Sequence, residues 1–262
     1  MLKNNVSRPV RVLAVFILLG SVLFFMPRAC ASTVEELEDT FVQANDHYEK
    51  GEYIKAVEEY HKILSSGYTS GKLYYNLGNA SFRAGMLGQA ILNYERARRF
   101  IPRDADLAAN YRFAELLVKG NPPAEKGIWA WRPLKLYYNR FTADELSMIA
   151  SVLYVLTVAG LMIMIYFPRW TRYLLIPALL MAFLSTGNAV SAWHAVSGIG
   201  RESVVVVPET ECKFGPFDAG TKFFTLYEGM TVTVIQTKDD WRKIRRLDGK
   251  TGWVKKDALE VI

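Results

Sequence analysis

The stretch LSMIASVLYVLTVAGLMIMIYF, Leu146–Phe167, carries no charged side chain over 22 residues. As a helix it is roughly 33 Å long, enough to cross the apolar core of a bilayer. A basic, proline-containing break follows at Phe167-Pro168-Arg169-Trp170-Thr171-Arg172, and the chain turns apolar again from Tyr173 to Val196. Spans this close leave room only for a tight turn, so 146–167 and 173–196 read as a two-helix transmembrane hairpin. Both flanking regions then lie on one side of the membrane. Arg169 and Arg172, positive charges in a short turn, mark the turn as cytoplasmic. The rival is a buried hairpin of a soluble protein, but such helices rarely lack a polar face altogether.

The N-terminus agrees with that orientation. Lys3, Arg8 and Arg11 precede the apolar run Val12 to Phe25, and Ala29-Cys30-Ala31 follows. This is the plan of a secretory signal, 1–31, with cleavage after Ala31. An uncleaved anchor and a lipoprotein signal with Cys30 lipidated are the alternatives. Pro27-Arg28-Ala29 lacks the apolar residue that a lipidation site expects. On each reading Ser32 onward is exported, which expects a bacterial inner-membrane protein with its N- and C-terminal regions in the periplasm.

The 51% hydrophobic content is modest for a membrane protein and suits a small membrane part carrying soluble modules. The net charge of +6 is spread along the chain, so nucleic acid is not an expected partner. Cys30 and Cys212 are the only cysteines, and their contexts do not suggest a pair. His47, His61 and His194 are scattered, without metal-ligand spacing. There is no Ser/His/Asp or Cys/His arrangement, phosphate loop or convincing carboxylate pair, so no catalytic residue, cofactor or metal is expected.

Residues 32–119 are polar, helical in pattern and repetitive. Aligning Gly51 with Gly85 gives a period of 34 residues, the tetratricopeptide value. In 71–104, Tyr74, Leu77, Gly78, Gly85, Ala90, Tyr94, Ala97 and Pro102 stand at the signature positions of that repeat, whereas Ser81 departs from it. In 37–70, Gly51, Tyr53, Ala56 and Tyr60 match, with Gln43 and Ala44 where Leu-Gly is usual. Leu107, Tyr111, Ala114 and Leu117 supply a capping helix, 105–118, because two repeats alone leave an apolar end exposed. The region thus resembles a tetratricopeptide solenoid. The resemblance implies a concave, peptide-binding face on the first helices, which here includes Phe41, Asn45, Tyr48, Tyr75, Asn79, Phe82 and Arg83. A carboxylate clamp is not expected: Asn45 and Asn76 match it, but Phe41, Asp106 and Asn110 stand where its basic residues belong. Residues 32–70 carry nine acidic and three basic side chains, 71–120 four and eight. The basic half, with Arg96, Arg98, Arg99 and Arg103, reads as a solvated surface or a contact for anionic headgroups or an acidic partner.

Gly120-Asn121-Pro122-Pro123 ends the array, and 120–145 is a linker with an interfacial texture. Trp129, Trp131, Leu134, Leu136, Tyr137, Tyr138 and Phe141 alternate there with Arg132, Lys135 and Arg140. Thr142-Ala-Asp-Glu145 is a capping box that starts the first span. Gly187 and Ser191 are spaced for close helix contact. With no Asp, Glu, Lys or Arg inside either span, no transport path is expected.

From Glu202 to Ile262 short alternating strands are separated by Glu228-Gly229, Asp239-Asp240 and Asp248-Gly249 turns, which argues a small barrel. Leu226, Gly229, Val232, Val234, Trp241, Ile244, Gly249, Gly252, Trp253 and Val254 carry a resemblance to bacterial SH3-like domains. Trp241, Arg242, Arg245 and Arg246 are the expected surface of that barrel. Cys212 reads as a small packed residue. The order of parts resembles the Bacteroides-aerotolerance family, E-type. That resemblance implies an inner-membrane protein whose partners are membrane proteins with von Willebrand A domains and a MoxR-type ATPase system. The function expected is a non-enzymatic scaffold. Peptidoglycan binding through the barrel is the alternative.

Overall fold

The computed structural model describes residues 34–120, 122, 136–197 and 200–262. Residues 1–31, expected to be a signal segment, with Cys30, and the linker aromatics Trp129 and Trp131 lie outside the described residues. The chain divides into two compact units, Met1–Asp39 and Thr40–Ile262. Of the first, only the opening of one helix is described.

Five helices come first: α1 (Val34–Glu49), α2 (Tyr53–Ser65), α3 (Gly71–Arg83), α4 (Leu87–Phe100) and α5 (Ala105–Leu117). Their punctuation recurs every 34 residues. Gly51 and Gly85 end α1 and α3 with positive φ of 78° and 81°, the left-handed conformation glycine adopts without strain. Ser70 and Asp104 cap α3 and α5 by accepting from the amides of Leu73 and Leu107, satisfying donors that a helix start leaves open. Between paired helices small residues permit close approach. A Cβ on Gly78 would lie 2.6 Å from the Tyr94 ring, so this glycine is the space that the ring fills.

Two long helices follow, α6 (Ala143–Tyr166) and α7 (Thr171–Ser197), joined by a 3₁₀ turn at Pro168–Trp170. Both are long and apolar enough to cross a membrane. In the most apolar windows only 17% and 11% of the residues are buried, the opposite of a soluble core. The Thr142 capping box is formed in full, with Thr142 accepting from the Glu145 amide and Glu145 from the Thr142 amide. The second helix runs through Pro177 without ending. Ser185 donates to the Ala150 carbonyl at 2.8 Å, and Gly160 lies opposite Ala178, so the helices run antiparallel. Gly187 does not serve this contact: a Cβ there would meet the Tyr138 hydroxyl at 3.3 Å. Asn188 is buried, and its amide donates to the Leu184 carbonyl.

The C-terminal part is a seven-stranded antiparallel sheet in the order β3-β2-β6-β5-β4-β1-β7. Its strands are β1 (Glu202–Val205), β2 (Glu209–Lys213), β3 (Lys222–Tyr227), β4 (Thr231–Lys238), β5 (Trp241–Arg246), β6 (Thr251–Lys255) and β7 (Leu259–Val261). Val204, Cys212, Leu226, Val232, Ile244, Val254 and Leu259 enter one core cluster, so the sheet wraps into a small barrel. Gly252 is there because Cys212 needs the space: a Cβ would lie 2.5 Å from its sulfur.

That core does not stop at the barrel. It continues into Ala90, Ile91, Tyr94, Leu107 and Val118 of the helical part. The amide of Gly88 donates to Glu228 at 2.8 Å, and a Cβ on Gly88 would come within 2.6 Å of the Val205 carbonyl. Gly229, at φ +83°, sits where a Cβ would touch Ile91 and Val118. Arg96 donates to the Val261 carbonyl at 2.6 Å and to Glu260 at 3.2 Å, Gln89 to Glu260, and Arg99 to the Ile262 carbonyl. Arg103 bonds Glu145 at the start of α6. Of the basic run, then, Arg96 and Arg99 hold the barrel and Arg103 holds the start of α6. Their acidic partners, Glu260, Glu202 and Glu145 respectively, are in this same chain.

Candidate functional site

Two arrangements could hold a partner. The first is a ladder of asparagines on α1, α3 and α5. The Asn45 side-chain oxygen accepts from the Tyr60 hydroxyl at 2.7 Å and from the Asn76 amide at 3.0 Å. Thirty-four residues on, the Asn79 oxygen accepts from the Tyr94 hydroxyl at 2.8 Å and the Asn110 amide at 3.0 Å. Each oxygen is thereby occupied twice. The amide nitrogens of Asn45 and Asn79 have no partner among the described residues, although both side chains are half-buried. Tyr60 and Tyr94 lie inside; burial pushes the Tyr60 hydroxyl up to about 12 and raises that of Tyr94 too. Both stay neutral donors, which fixes the orientation of each asparagine.

The other expected groove residues join this ladder through neighbours. Phe41 packs on the Tyr60 ring with centroids 5.8 Å apart. Tyr48 meets Tyr53 edge-on at 5.4 Å, and Arg83 donates to the Tyr53 hydroxyl at 2.8 Å with its guanidinium 5.2 Å over the ring. Desolvation raises the Tyr48 hydroxyl, and the Arg83 charge opposes it. Tyr75 accepts from Asn110 at 3.0 Å and lies beside Tyr94. Phe82 packs edge-on against Phe113. Sequence reasoning missed Tyr53 and Phe113 as members of this surface. It also missed that Tyr60 and Tyr94 orient it; their spacing of one repeat was the available signal.

The second arrangement is a cleft on the barrel of about 550 Å³. Asp218, Asp240, Trp241, Arg242, Lys255, Lys256, Asp257 and Leu259 line it. Walls are tied together by the backbone: the Lys256 amide donates to the Asp240 carbonyl at 2.8 Å, and Arg242 donates to the Leu259 carbonyl at 3.1 Å.

Of the four barrel residues expected on the surface, Trp241 needs correction. Trp241 is only 8% exposed, with the Lys213 and Lys255 ammonium groups within 6 Å of its ring centroid. Arg242 is half-buried and tied to Leu259. Arg246 is half-buried, bonded twice to Asp248 at 2.9 and 2.6 Å and stacked over Phe224. Arg245 is exposed. Cys212 is fully buried, and burial pushes its thiol up to about 12, so it is not a reactive thiolate. Among the described residues no group of His, Cys, Asp and Glu could hold a metal ion.

No curated protein matches the chain. Residues 216–260 match the family model of the bacterial SH3 domain, from the β2–β3 loop into β7, which supports an SH3-like C-terminal domain.

Proposed function

We propose that the chain is a non-enzymatic membrane adaptor that captures partner proteins on the asparagine ladder of its helical part, with the SH3-like barrel fixed beside it. The observation that carries this reading is the repeated pair of unused amide donors at Asn45 and Asn79, each locked in orientation by a buried tyrosine. Donors spaced by one repeat suit backbone carbonyls a few residues apart along an extended peptide. The helical part is read as two tetratricopeptide repeats, 37–70 and 71–104, with 105–118 as cap. Support comes from the glycine, cap and asparagine positions that recur at 34 residues.

Orientation follows from Arg169 and Arg172 in the turn between the helices, which would hold that turn in the cytoplasm and place both modules in the periplasm. The order of the parts supports the resemblance to the E-type branch of the Bacteroides-aerotolerance family. Von Willebrand A-domain membrane proteins and a MoxR-type ATPase system are therefore the first partners to seek. Peptidoglycan binding by the barrel is the second reading, favoured by the SH3-type match.

The test is photocrosslinking in native membranes with Asn45→Asp and Asn79→Asp combined. An alanine would orphan the buried Tyr60 and Tyr94 hydroxyls, whereas aspartate keeps the acceptor oxygens and replaces each donor nitrogen with an anionic oxygen. Capture should fall while the helical content and melting temperature stay near the parent values. Undiminished capture by a folded double variant overturns the groove reading.

A further inference from the structure

The last turn of α4 is held between the two points where the long apolar helices end. Arg103 bonds Glu145, the third residue of α6, at 2.6 Å. Arg99 lies 3.8 Å from Glu202, five residues past the end of α7 at Ser197. Between these arginines Phe100 closes α4 with 46% of its surface exposed. The start of α3 shares this edge, because a Cβ on Gly71 would lie 2.9 Å from the Phe100 Cβ. Tyr68, three residues earlier, is exposed too. On the other side Arg103 stands 5.8 Å over the Phe141 ring, which packs on Tyr137 at 4.9 Å. Tyr137 and Leu136 are both exposed. Water gives such side chains nothing, whereas the headgroup region of a bilayer receives aromatic and aliphatic groups readily. The charges divide in the same way. Glu145 and Glu202 are paired with the two arginines, and Asp104 accepts from the Leu107 amide. Asp106 and Asp144 stay exposed. Lys72 follows Gly71, Arg140 stands three residues before α6, and Arg201 four residues after α7. These three cations are exposed, and their side chains have no partner among the described residues.

We propose that this edge of the helical part rests on the surface of an anionic bilayer. Phe100 and Tyr68 enter the headgroup region beside Leu136 and Tyr137, and Lys72, Arg140 and Arg201 take lipid phosphates. The inference rests on reading α6 and α7 as membrane-spanning. The contact sets the tilt of α3 and α4 against the bilayer, and with them the asparagine ladder.

The probe is photoreactive p-benzoylphenylalanine at position 100, in the full chain held in nanodiscs of equal phosphatidylcholine and phosphatidylglycerol. Irradiation should give lipid adducts, with phosphatidylglycerol favoured at least about fivefold, the worth of one cation beside an anionic surface. Lys72→Gln, Arg140→Gln and Arg201→Gln combined should return the two lipids to parity. Lys72→Arg, Arg140→Lys and Arg201→Lys combined should keep the preference, which loss of structure would not. The same label at Phe183, an exposed residue of α7, reports on the spanning reading. Lipid adducts at 183 with none at 100 overturn the proposal and leave the spans standing. None at either position overturns the spanning reading and the proposal with it. Equal adducts of the two lipids in the parent chain also overturn it. So does an adduct at 100 with protein in place of lipid in native membranes, which gives this edge to a partner.

Discussion

Ile91→Ala should loosen a domain in which residue 91 does not reside. Ile91 belongs to α4 and is 1% exposed. Its Cδ1 lies where a Cβ on Gly229 would come within 2.8 Å, so it packs directly on the turn before β4. Truncation removes three carbons from a core that spans α4, Val118, Val205 and Met230. A fully buried isoleucine cut to alanine costs about 2–5 kcal/mol. If helices and barrel open as one unit, amides protected by that opening should exchange ~30- to ~4000-fold faster, at about 1.4 kcal/mol per tenfold. The assay is hydrogen exchange by mass spectrometry on the full chain in nanodiscs, comparing peptides from α4 with those from β4 and β5. Both sets should accelerate together. Faster exchange confined to α3 and α4, with β4 and β5 unchanged, would refute the shared core and make the barrel an independent module.

Three shorter tests address other contacts. Gly252→Ala should lower barrel stability by about 1–3 kcal/mol by driving a methyl group into the Cys212 sulfur. Cys212→Ala should recover part of that loss in the double variant, and strict additivity in the melts would show that the contact is not the cause. The Arg246 guanidinium holds the Asp248 carboxyl at about 2, below the ordinary 3.8. Because the folded value is the lower one, the stabilisation is complete above the ordinary value and disappears as pH falls through about 2. Urea titrations should therefore show a smaller loss between pH 5 and pH 2.5 for Asp248→Asn than for the parent, and identical losses would contradict the pairing. Reporter fusions at Gly120 and after Ile262 should both be active only with a periplasmic reporter, and Arg169→Glu with Arg172→Glu should weaken that orientation; a cytoplasmic signal at either fusion contradicts the hairpin topology.

Features written in neighbouring residues were legible in the sequence. The charge-free run from Leu146 announces a helix, and Thr142 with Glu145 states where it begins. The barrel strands with alternating apolar residues, β4 and β6 among them, were readable. β2 and β7 were not. Glu209-Thr-Glu-Cys-Lys213 presents one buried residue and is a strand because β3 and β6 pair with it. Leu259–Val261 is too short to carry a pattern and is ordered by β1. What stayed hidden are contacts at long separation. Gly88 and Glu228 are 140 residues apart, and Arg96 and Glu260 164. No local signal marks an exposed-looking arginine as the holder of a distant strand. The site was half legible for the same reason. Asn45 and Asn79 could be placed on the concave face, but the tyrosine that orients each comes from the next helix. Trp241 has the composition of a ligand-contacting aromatic, and only the fold shows that its ring is mostly covered.

The two long apolar helices also bear on how the shared core forms. The helical part ends at Gly120 and the barrel begins at Gly200, so about eighty residues separate surfaces that pack together. A free loop of that length carries an entropic cost of closure, though one that grows only logarithmically with length. An antiparallel hairpin changes the problem, since Ala150 faces Ser185 and Gly160 faces Ala178. It returns the chain from Ser197 to the level of Thr142, and the Arg103 bond to Glu145 fastens the helical part at that same level. The ends to be joined are then already neighbours, and docking of the barrel on α4 proceeds at high effective concentration.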